Sequence, residues 1–203
     1  MTDERAAAAL AGGLGLLERA ITYTLGSLML VTPEAMGRPT PCRDWDLRAL
    51  LAHMDDSLVA LHQAADVGLV DLEAFDDPRA ADPVAALRNR ACQLLGAWTS
   101  AGDQRLVSVA GFALTAGIVS GTGAIEVAVH GWDVARACGR HRPVPPALAE
   151  ELLELSPLFV SAADRPGRFA PPVDVPPWSG PGDRLVAFLG RRSQPLCRWV
   201  GLR

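Results

Sequence analysis

The stretch that decides the fold is Ile125–Cys138, with the sequence IEVAVHGWDVARAC. Its side chains are apolar nearly all round, and a helix of that kind is usually buried in the protein interior. Three polar side chains interrupt the apolar pattern on one face, namely Glu126, His130 and Asp133. At about 100° per residue, they project within about 60° of one another. We therefore predict a buried helix from near Thr122 to Ala137 that carries one narrow polar stripe.

This polar stripe has the composition of a metal site. Carboxylate oxygen and imidazole nitrogen both bind divalent ions at about 2.0–2.2 Å, so Glu126 and His130, one turn apart, can share an ion. Asp133 lies one turn further along the helix and would orient a ligand by a hydrogen bond without binding the metal itself. Three protein ligands would leave a position open for water or substrate, which is typical of catalytic sites. The competing interpretation is a simple contact between neighbouring turns on a solvated helix face.

The third ligand has three candidates in the sequence. His141 lies in a turn rich in Pro and Arg after the helix, where we expect it to be solvated. His53 and His62 both lie on an earlier predicted helix. Measured from Leu47 at the centre of that helix's apolar stripe, His62 projects at about 60° and His53 at about 120° on the other flank. Periodicity slightly favours His62 as the more buried residue and leaves the choice open.

The remaining pattern predicts an all-α protein. Leu and Ala recur at three- and four-residue steps in several other segments, which is typical of amphipathic helices. Asp44 is the predicted N-cap of the second helix, because its carboxylate can accept from free backbone N–H groups. The other predicted helices are Glu4–Leu30, Trp45–Ala65, Pro83–Ser100, Pro146–Ala162 and the short Asp183–Leu189. The Gly-punctuated, β-branched stretch Arg105–Ser120 predicts a short hairpin or an irregular crossover.

Four long helices with one long connection suggest a four-helix bundle. We predict that residues 1–140 form this bundle. Residues 141–203 would form an extension packed on it, consisting of a helix, Pro-rich coil, a short helix and a tail.

Composition excludes several classes of function. The formal net charge of −4 argues against a nucleic-acid surface, which usually shows a basic patch. Cys42, Cys92, Cys138 and Cys197 are too widely spaced to suggest a secreted disulfide framework. Glu18 and Arg19 fall in the middle of the apolar stretch Ala6–Val31, so we expect an ordinary helix there and no membrane span. The sequence thus predicts a cytoplasmic protein without nucleic-acid or membrane partners, present as a monomer or homodimer.

Two motifs together resemble a known family. Thr40–His53, TPCRDWDLRALLAH, and Glu126–Ala135, EVAVHGWDVA, are similar to segments of DinB-like proteins. The closer resemblance is to the actinobacterial branch that includes mycothiol-dependent maleylpyruvate isomerase. Phe169–Pro176 and Asp183–Arg191 resemble a C-terminal segment of short members of that branch.

The resemblance implies a site and a chemistry. It implies a four-helix bundle with a divalent metal, zinc first and nickel second, held by His53, Glu126 and His130. Trp45 and Trp132 belong to the two motifs and are candidates for the wall of the metal pocket, although the favoured interpretation is that they are ordinary core aromatics. Characterised relatives use a low-molecular-weight thiol such as mycothiol as co-substrate, in isomerases or S-transferases. An open Lewis-acid site suits this role because it lowers the pKa of a thiol.

We therefore expect a metal-dependent enzyme that uses mycothiol as S-transferase or isomerase on an electrophilic small molecule. The isomerase has a fuller C-terminal domain, whereas only residues 141–203 follow the fourth helix here, so maleylpyruvate itself is not the expected substrate. One alternative is a lyase or hydrolase that needs no thiol. Another is a regulatory metal-binding protein, in which Asp133 would complete a closed four-ligand site.

Overall fold

A computed structural model of the chain describes residues 12–42, 44–70, 81–99, 105–163, 165 and 169–193. Within these ranges the fold is mostly helical, with one small sheet. Six helices and three strands follow one another in the order α1 Gly13–Leu28, α2 Leu47–Asp66, β1 Leu69–Val70, α3 Pro83–Thr99, β2 Leu106–Val109, β3 Phe112–Thr115, α4 Ala116–Ala137, α5 Pro146–Phe159 and α6 Pro181–Phe188. A single 3-10 turn, Pro33–Ala35, lies between α1 and α2.

Helices α1 to α4 share one hydrophobic core. Helix α4 packs against α1 and α2, α2 packs against α3, and α1 contacts α3. The apolar stripe of α2 faces this core, with Leu47, Leu50, Leu51 and Leu58 at most 5% exposed. Burying such a stripe contributes most of the stability of an amphipathic helix. A mostly helical fold is thus confirmed, while the regular four-helix bundle and the division at residue 140 stay predictions.

Glycines allow α1 and α4 to approach closely. A Cβ atom added at Gly131 would collide with the Oγ1 atom of Thr24 and lie 3.1 Å from its Cα atom. The Thr24 hydroxyl donates to the carbonyl oxygen of Val127, at 2.8 Å. At Gly13, an added Cβ would lie 2.5 Å from the carbonyl oxygen of Gly117. This contact fixes the rotation of α4 and therefore the direction in which its polar stripe points.

The start of α4 differs from the prediction. Strands β2 and β3 form a tight antiparallel hairpin whose turn, Ala110 and Gly111, has positive φ angles at both residues. The hairpin leads directly into α4, because the Thr115 side chain accepts from Ile118 N and caps the helix. The helix therefore begins at Ala116 rather than near Thr122.

The hairpin is one of the two structures that the sequence predicted for this stretch, but a third strand was not predicted. Strand β1 pairs in parallel with β2, and this adds a third strand to the hairpin. Sequence reasoning missed β1 because two residues are too short to show a strand pattern.

The ends of other helices also differ from the predicted ones. The N-cap of α2 is Asp46, whose side chain accepts from Ala49 N at 2.8 Å, so the prediction of Asp44 is wrong. Helix α5 ends at Phe159 rather than Ala162, just after Pro157. The predicted first helix is described only from Gly13, because residues 1–11 lie outside the described ranges. None of the helices described is long and apolar enough to span a membrane.

The C-terminal segment packs on the helical core and then turns back towards α4. Helix α5 contacts α1 and α4, and α6 contacts α5. After α6, Gly190 adopts a φ of +84°, a conformation that suits glycine at the end of a helix. The amide of Arg191 then donates to the carbonyl oxygen of Val186, at 2.8 Å. This turn directs the Arg191 side chain towards Asp133 on α4.

Candidate metal centre

The turn before α2 positions the first aromatic residue of the site. Thr40 N donates to Trp45 O at 3.1 Å, and the Thr40 hydroxyl lies 3.0 Å from the carbonyl oxygens of Cys42 and Trp45. Asp44 has a φ of 68°, in the left-handed region that Asp tolerates better than most residues. The closed turn holds the Trp45 ring 4.6 Å from the His53 ring, centre to centre.

Three side chains from α2 and α4 converge on one point. The Nε2 atom of His53 lies 2.6 Å from Oε1 of Glu126, and the Nε2 atom of His130 lies 3.0 Å from the same oxygen. One potential ligand atom from each residue falls within 4.8 Å of the others. The side chains of His53 and Glu126 are 35% and 31% exposed, whereas that of His130 is 5% exposed. The cluster thus lies at the border between core and solvent.

Behind His130 lies a buried ion pair. The Nδ1 atom of His130 is 3.0 Å from Oδ2 of Asp133, whose side chain is fully buried. The Nη2 atom of Arg191 donates to the same carboxylate oxygen at 3.0 Å. Arg191 is itself only 7% exposed, and its Nη1 atom donates to Leu189 O at 2.9 Å. The chain Arg191–Asp133–His130 therefore fixes the imidazole so that its Nε2 atom faces Glu126.

The charges and hydrogen bonds within the cluster shift the pKa values of His130 and Glu126. Burial alone would lower the pKa of His130, but the charge of Glu126 and the hydrogen bond to Asp133 raise it to about 9. Burial would raise the pKa of Glu126, but His130 and His53 lower it well below its usual range. Near neutral pH, His130 is therefore doubly protonated between two carboxylates. The two carboxylates that face the imidazole therefore stabilise a positive charge on it.

The two tryptophans occupy different places. Besides its contact with His53, Trp45 lies 6.2 Å from the ring of His130, centre to centre. Trp132 is 3% exposed, and the guanidinium carbon of Arg136 lies 5.7 Å from its ring centre. Among the described contacts, Trp45 adjoins the cluster and Trp132 does not.

The other histidines lie elsewhere. His62 lies nine residues beyond His53 on α2, which is about 13 Å along the helix axis. Its Nδ1 atom is buried without a hydrogen-bond partner in the part of the chain that the structure describes. His141 is exposed, as expected from its turn. Neither residue belongs to a group of potential ligands found among the described residues.

A second group of potential ligands overlaps the first. Cys42, His130 and Asp133 also offer ligand atoms within 4.8 Å of one another. However, Arg191 already pairs with Asp133, and burial raises the pKa of the Cys42 thiol. A metal would need that thiol deprotonated. The first group is therefore the better candidate.

The donor set of the first group fits a divalent ion. Two imidazole Nε2 atoms and one carboxylate oxygen form the histidine and carboxylate set found in catalytic zinc sites. Both nitrogens already point at the carboxylate oxygen, so an ion can replace the protons they share with it. The Asp133 carboxylate accepts a hydrogen bond from Nδ1 of His130. Metal-binding imidazoles nearly always donate such a bond from the ring nitrogen that does not bind the metal.

The fold and this cluster together define a mostly helical protein with a candidate centre for a divalent cation. A family model described as the mycothiol maleylpyruvate isomerase N-terminal domain matches residues 17–135. The chain therefore belongs to this family, and the resemblance seen in the sequence is confirmed.

Individual proteins are also similar to this chain. Two uncharacterized proteins, from two strains of Mycobacterium tuberculosis, are each 30% identical over 183 residues, covering 79% of this chain and 87% of theirs. A crystal structure of the mycothiol-dependent maleylpyruvate isomerase matches with a TM-score of 0.53 and 21% identity, over 72% of this chain and 67% of that chain. A mutant of that isomerase matches over the same shares, with a TM-score of 0.50 and 22% identity. The structural matches show a common fold.

Sequence reasoning missed Arg191 as a residue of the site. The only signal was its place as the last residue of the segment Asp183–Arg191, which resembles a family segment but carries no metal-binding pattern. Its partner, Asp133, is 58 residues away along the chain. A pair at that separation becomes visible only when the fold brings its members together.

Proposed function

We propose that this protein is a metal-dependent enzyme that uses mycothiol, as S-transferase or isomerase, on an electrophilic small molecule. The single observation that carries the proposal is the convergence of His53, Glu126 and His130 in a chain of this family. Zinc is the proposed ion and nickel the second choice. Three protein ligands leave room for a further group, which a catalytic site needs.

Each residue of the cluster would have a separate role in the proposed reaction. His53, Glu126 and His130 would hold the ion, and Asp133 would fix the orientation of His130. When bound, the ion would supply Lewis acidity that lowers the pKa of a thiol and favours its thiolate form. Trp45 would cover one side of the two imidazole rings and limit the access of water.

The proposed chemistry is addition of the thiol to an electron-poor double bond. A bond forms between sulfur and the β carbon, and the thiol proton ends on the α carbon. In the isomerase version, rotation about the resulting single bond precedes elimination, so that the thiol is regenerated. Neither version requires an external oxidant or reductant.

Asp133 is a poor candidate for a fourth ligand. Its carboxylate contacts Nδ1 of His130, whereas Nε2 on the other side of the ring faces Glu126. The buried guanidinium of Arg191 already neutralises it. These contacts favour an open catalytic site over the closed site of a regulatory metal-binding protein.

The test is an adduct assay. Zinc-loaded protein is incubated with mycothiol and a panel of α,β-unsaturated aldehydes and ketones, and products are identified by mass spectrometry. We expect adducts or isomerised products with wild type and with His62→Ala, which alters the same helix outside the cluster, and at least a 100-fold loss with His53→Ala. Absence of product across the panel would overturn the proposal. Turnover without any thiol would instead identify the lyase or hydrolase.

A further inference from the structure

A pocket open to solvent lies where α1 and α4 end. It is lined by Leu30, which follows α1, and by the four residues Gly139–Arg142, which follow α4. Its volume of about 390 Å³ falls within the range of sites for small organic molecules. Gly139 lies nine residues beyond His130, which is about 13 Å along a helix axis. This pocket, here called the basic pocket, is therefore separate from the candidate metal centre.

The basic pocket is lined by cationic groups without acidic partners. Three of its lining residues are Arg140, His141 and Arg142, and no Asp or Glu lines it in the described ranges. No ion pair among the described residues involves any of these three side chains. The whole chain has a formal net charge of −4, so this surface differs in sign from the molecule's overall charge. Its two guanidinium groups present permanent positive charges.

Arg142 is held in place by contacts with α1. Its Nη2 atom donates to Tyr23 O at 3.2 Å, and its guanidinium carbon lies 5.1 Å from the centre of the Tyr23 ring. The Tyr23 hydroxyl in turn donates to Arg142 O at 2.6 Å. Pro143 follows directly and restricts the backbone of Arg142 to extended conformations. A ligand of this guanidinium would therefore immobilise little further chain, which lowers the entropic cost of binding.

The Nη1 atom of Arg142 is available to a ligand. The Nε atom is buried without a partner in the part of the chain that the structure describes, and Nη2 is bonded to Tyr23. Nη1 is neither among the described hydrogen bonds nor among the buried atoms that lack a partner. It therefore faces solvent, together with the exposed side chains of Arg140 and His141.

Basic side chains at the end of a helix can also serve the helix itself. They interact favourably with the negative end of its dipole, which carries about half an elementary charge. The last carbonyl groups of α4 are already bonded, since Ala135 O accepts from Arg140 N and Arg136 O accepts from Gly139 N, both at 2.9 Å. The dipole accounts for a basic residue at this position. It does not account for an immobilised guanidinium beside a concave surface.

We propose that the basic pocket binds the phosphate group of a small phosphate ester. Guanidinium N–H groups form charge-assisted hydrogen bonds with phosphate oxygens, and arginine is well suited to this recognition. The organic part of the ester would occupy the rest of the pocket, beside Leu30. The proposal goes beyond the proposed function, because it requires neither the metal nor the thiol.

The test is calorimetric titration of the full-length protein, with a chelator present so that no metal ion binds phosphate. The probes are glycerol 3-phosphate, ribose 5-phosphate and adenosine 5′-monophosphate, with inorganic phosphate and ribose as comparisons. We expect at least one ester to bind once per chain, inorganic phosphate to bind more weakly and ribose not to bind. Arg140→Gln should weaken binding of the ester by at least about 10-fold. Arg88→Gln, which removes an exposed arginine of α3, should leave it unchanged.

Four results would overturn the proposal. They are no binding of any ester, equal affinities of wild type and Arg140→Gln, equal weakening in Arg140→Gln and Arg88→Gln, and inorganic phosphate binding as tightly as every ester. The third result would show attraction to the overall charge rather than to a site. Zinc content should be the same in Arg140→Gln and wild type, because the basic pocket and the candidate metal centre share no lining residue.

Discussion

At the scale of single residues, the three proposed ligands differ in how far the sequence reveals them. Glu126 and His130 follow from helical spacing on an apolar helix, because a polar pair there needs a partner. The periodicity of the apolar residues did not select His53 over His62. It indicates only which side chains face the core, and His53 does not lie on that face. His53 lies at the rim of the core, with its side chain 35% exposed, so depth in the core does not distinguish it. Only the motif Thr40–His53 pointed to it.

Arg191 should act as a positioning residue for His130. Replacing it by Met would leave the buried Asp133 carboxylate with His130 as its remaining partner, and the loss of stability should approach the cost of about 3–5 kcal/mol for breaking a buried ion pair. Without that support, zinc affinity should fall about 10- to 100-fold. The zinc dissociation constant is measured by competition with a chromophoric chelator, at a temperature where the variant remains folded.

The exposed neighbour Arg192 offers a matched control for this prediction. Arg192→Met should change neither stability nor zinc affinity. Wild-type zinc affinity in a folded Arg191→Met protein would show that the ion pair serves stability alone.

The metal-free protein should lose stability as pH rises. Because the pKa of His130 is about 9 in the folded protein and about 6.5 in the unfolded chain, its contribution is complete below pH 6.5 and is lost through pH 9. The loss should be about 3 kcal/mol in the free energy of unfolding, measured in urea with a chelator present. In His130→Gln, which has no imidazole to titrate, this decrease in the free energy of unfolding between pH 6.5 and pH 9 should be absent. Parallel pH profiles for the two proteins would contradict this account of the cluster.

At the scale of elements, the sequence predicted α4 but not its start, which lies at Ala116 rather than near Thr122. Residues 116–123 include Gly117, Gly121 and Gly123, and glycine is a poor helix former. Packing explains them, because an added Cβ at Gly123 would lie 2.6 Å from Leu61 Cδ2. Small residues that look like an irregular crossover are in fact the contact surface of a helix. Tertiary packing overrides local propensity here, and a single sequence does not reveal which neighbour a glycine meets.

Close packing of α1 on α4 should be sensitive to one methyl group. Gly131→Ala would force Thr24 away from α4, which costs about 1–3 kcal/mol, and would shift the adjacent His130. We expect a lower free energy of unfolding together with weaker zinc binding.

Gly15→Ala is the comparison for this change, since an added Cβ there meets nothing within 4 Å. It should leave zinc binding unchanged and stability unchanged or higher by up to about 1 kcal/mol. Equal effects of the two substitutions would rule out the proposed contact.

At the scale of the whole molecule, the candidate centre draws on distant parts of the chain. His53 comes from α2, Glu126 and His130 come from α4, and Arg191 follows α6. Hydrophobic patterns predicted the four long helices, because each must bury an apolar face. They did not predict that the chain after Gly190 brings Arg191 to α4. The left-handed turn at Gly190 and the ion pair between Arg191 and Asp133 determine that path.

The central claim is that His53, Glu126 and His130 hold one divalent ion. The most direct measurement is elemental analysis, after equilibration with zinc and gel filtration, of wild type, His53→Ala and the matched control His62→Ala. The account predicts one zinc ion per chain in wild type and in His62→Ala, and a small fraction of that in His53→Ala. Full zinc content in a folded His53→Ala protein would contradict it.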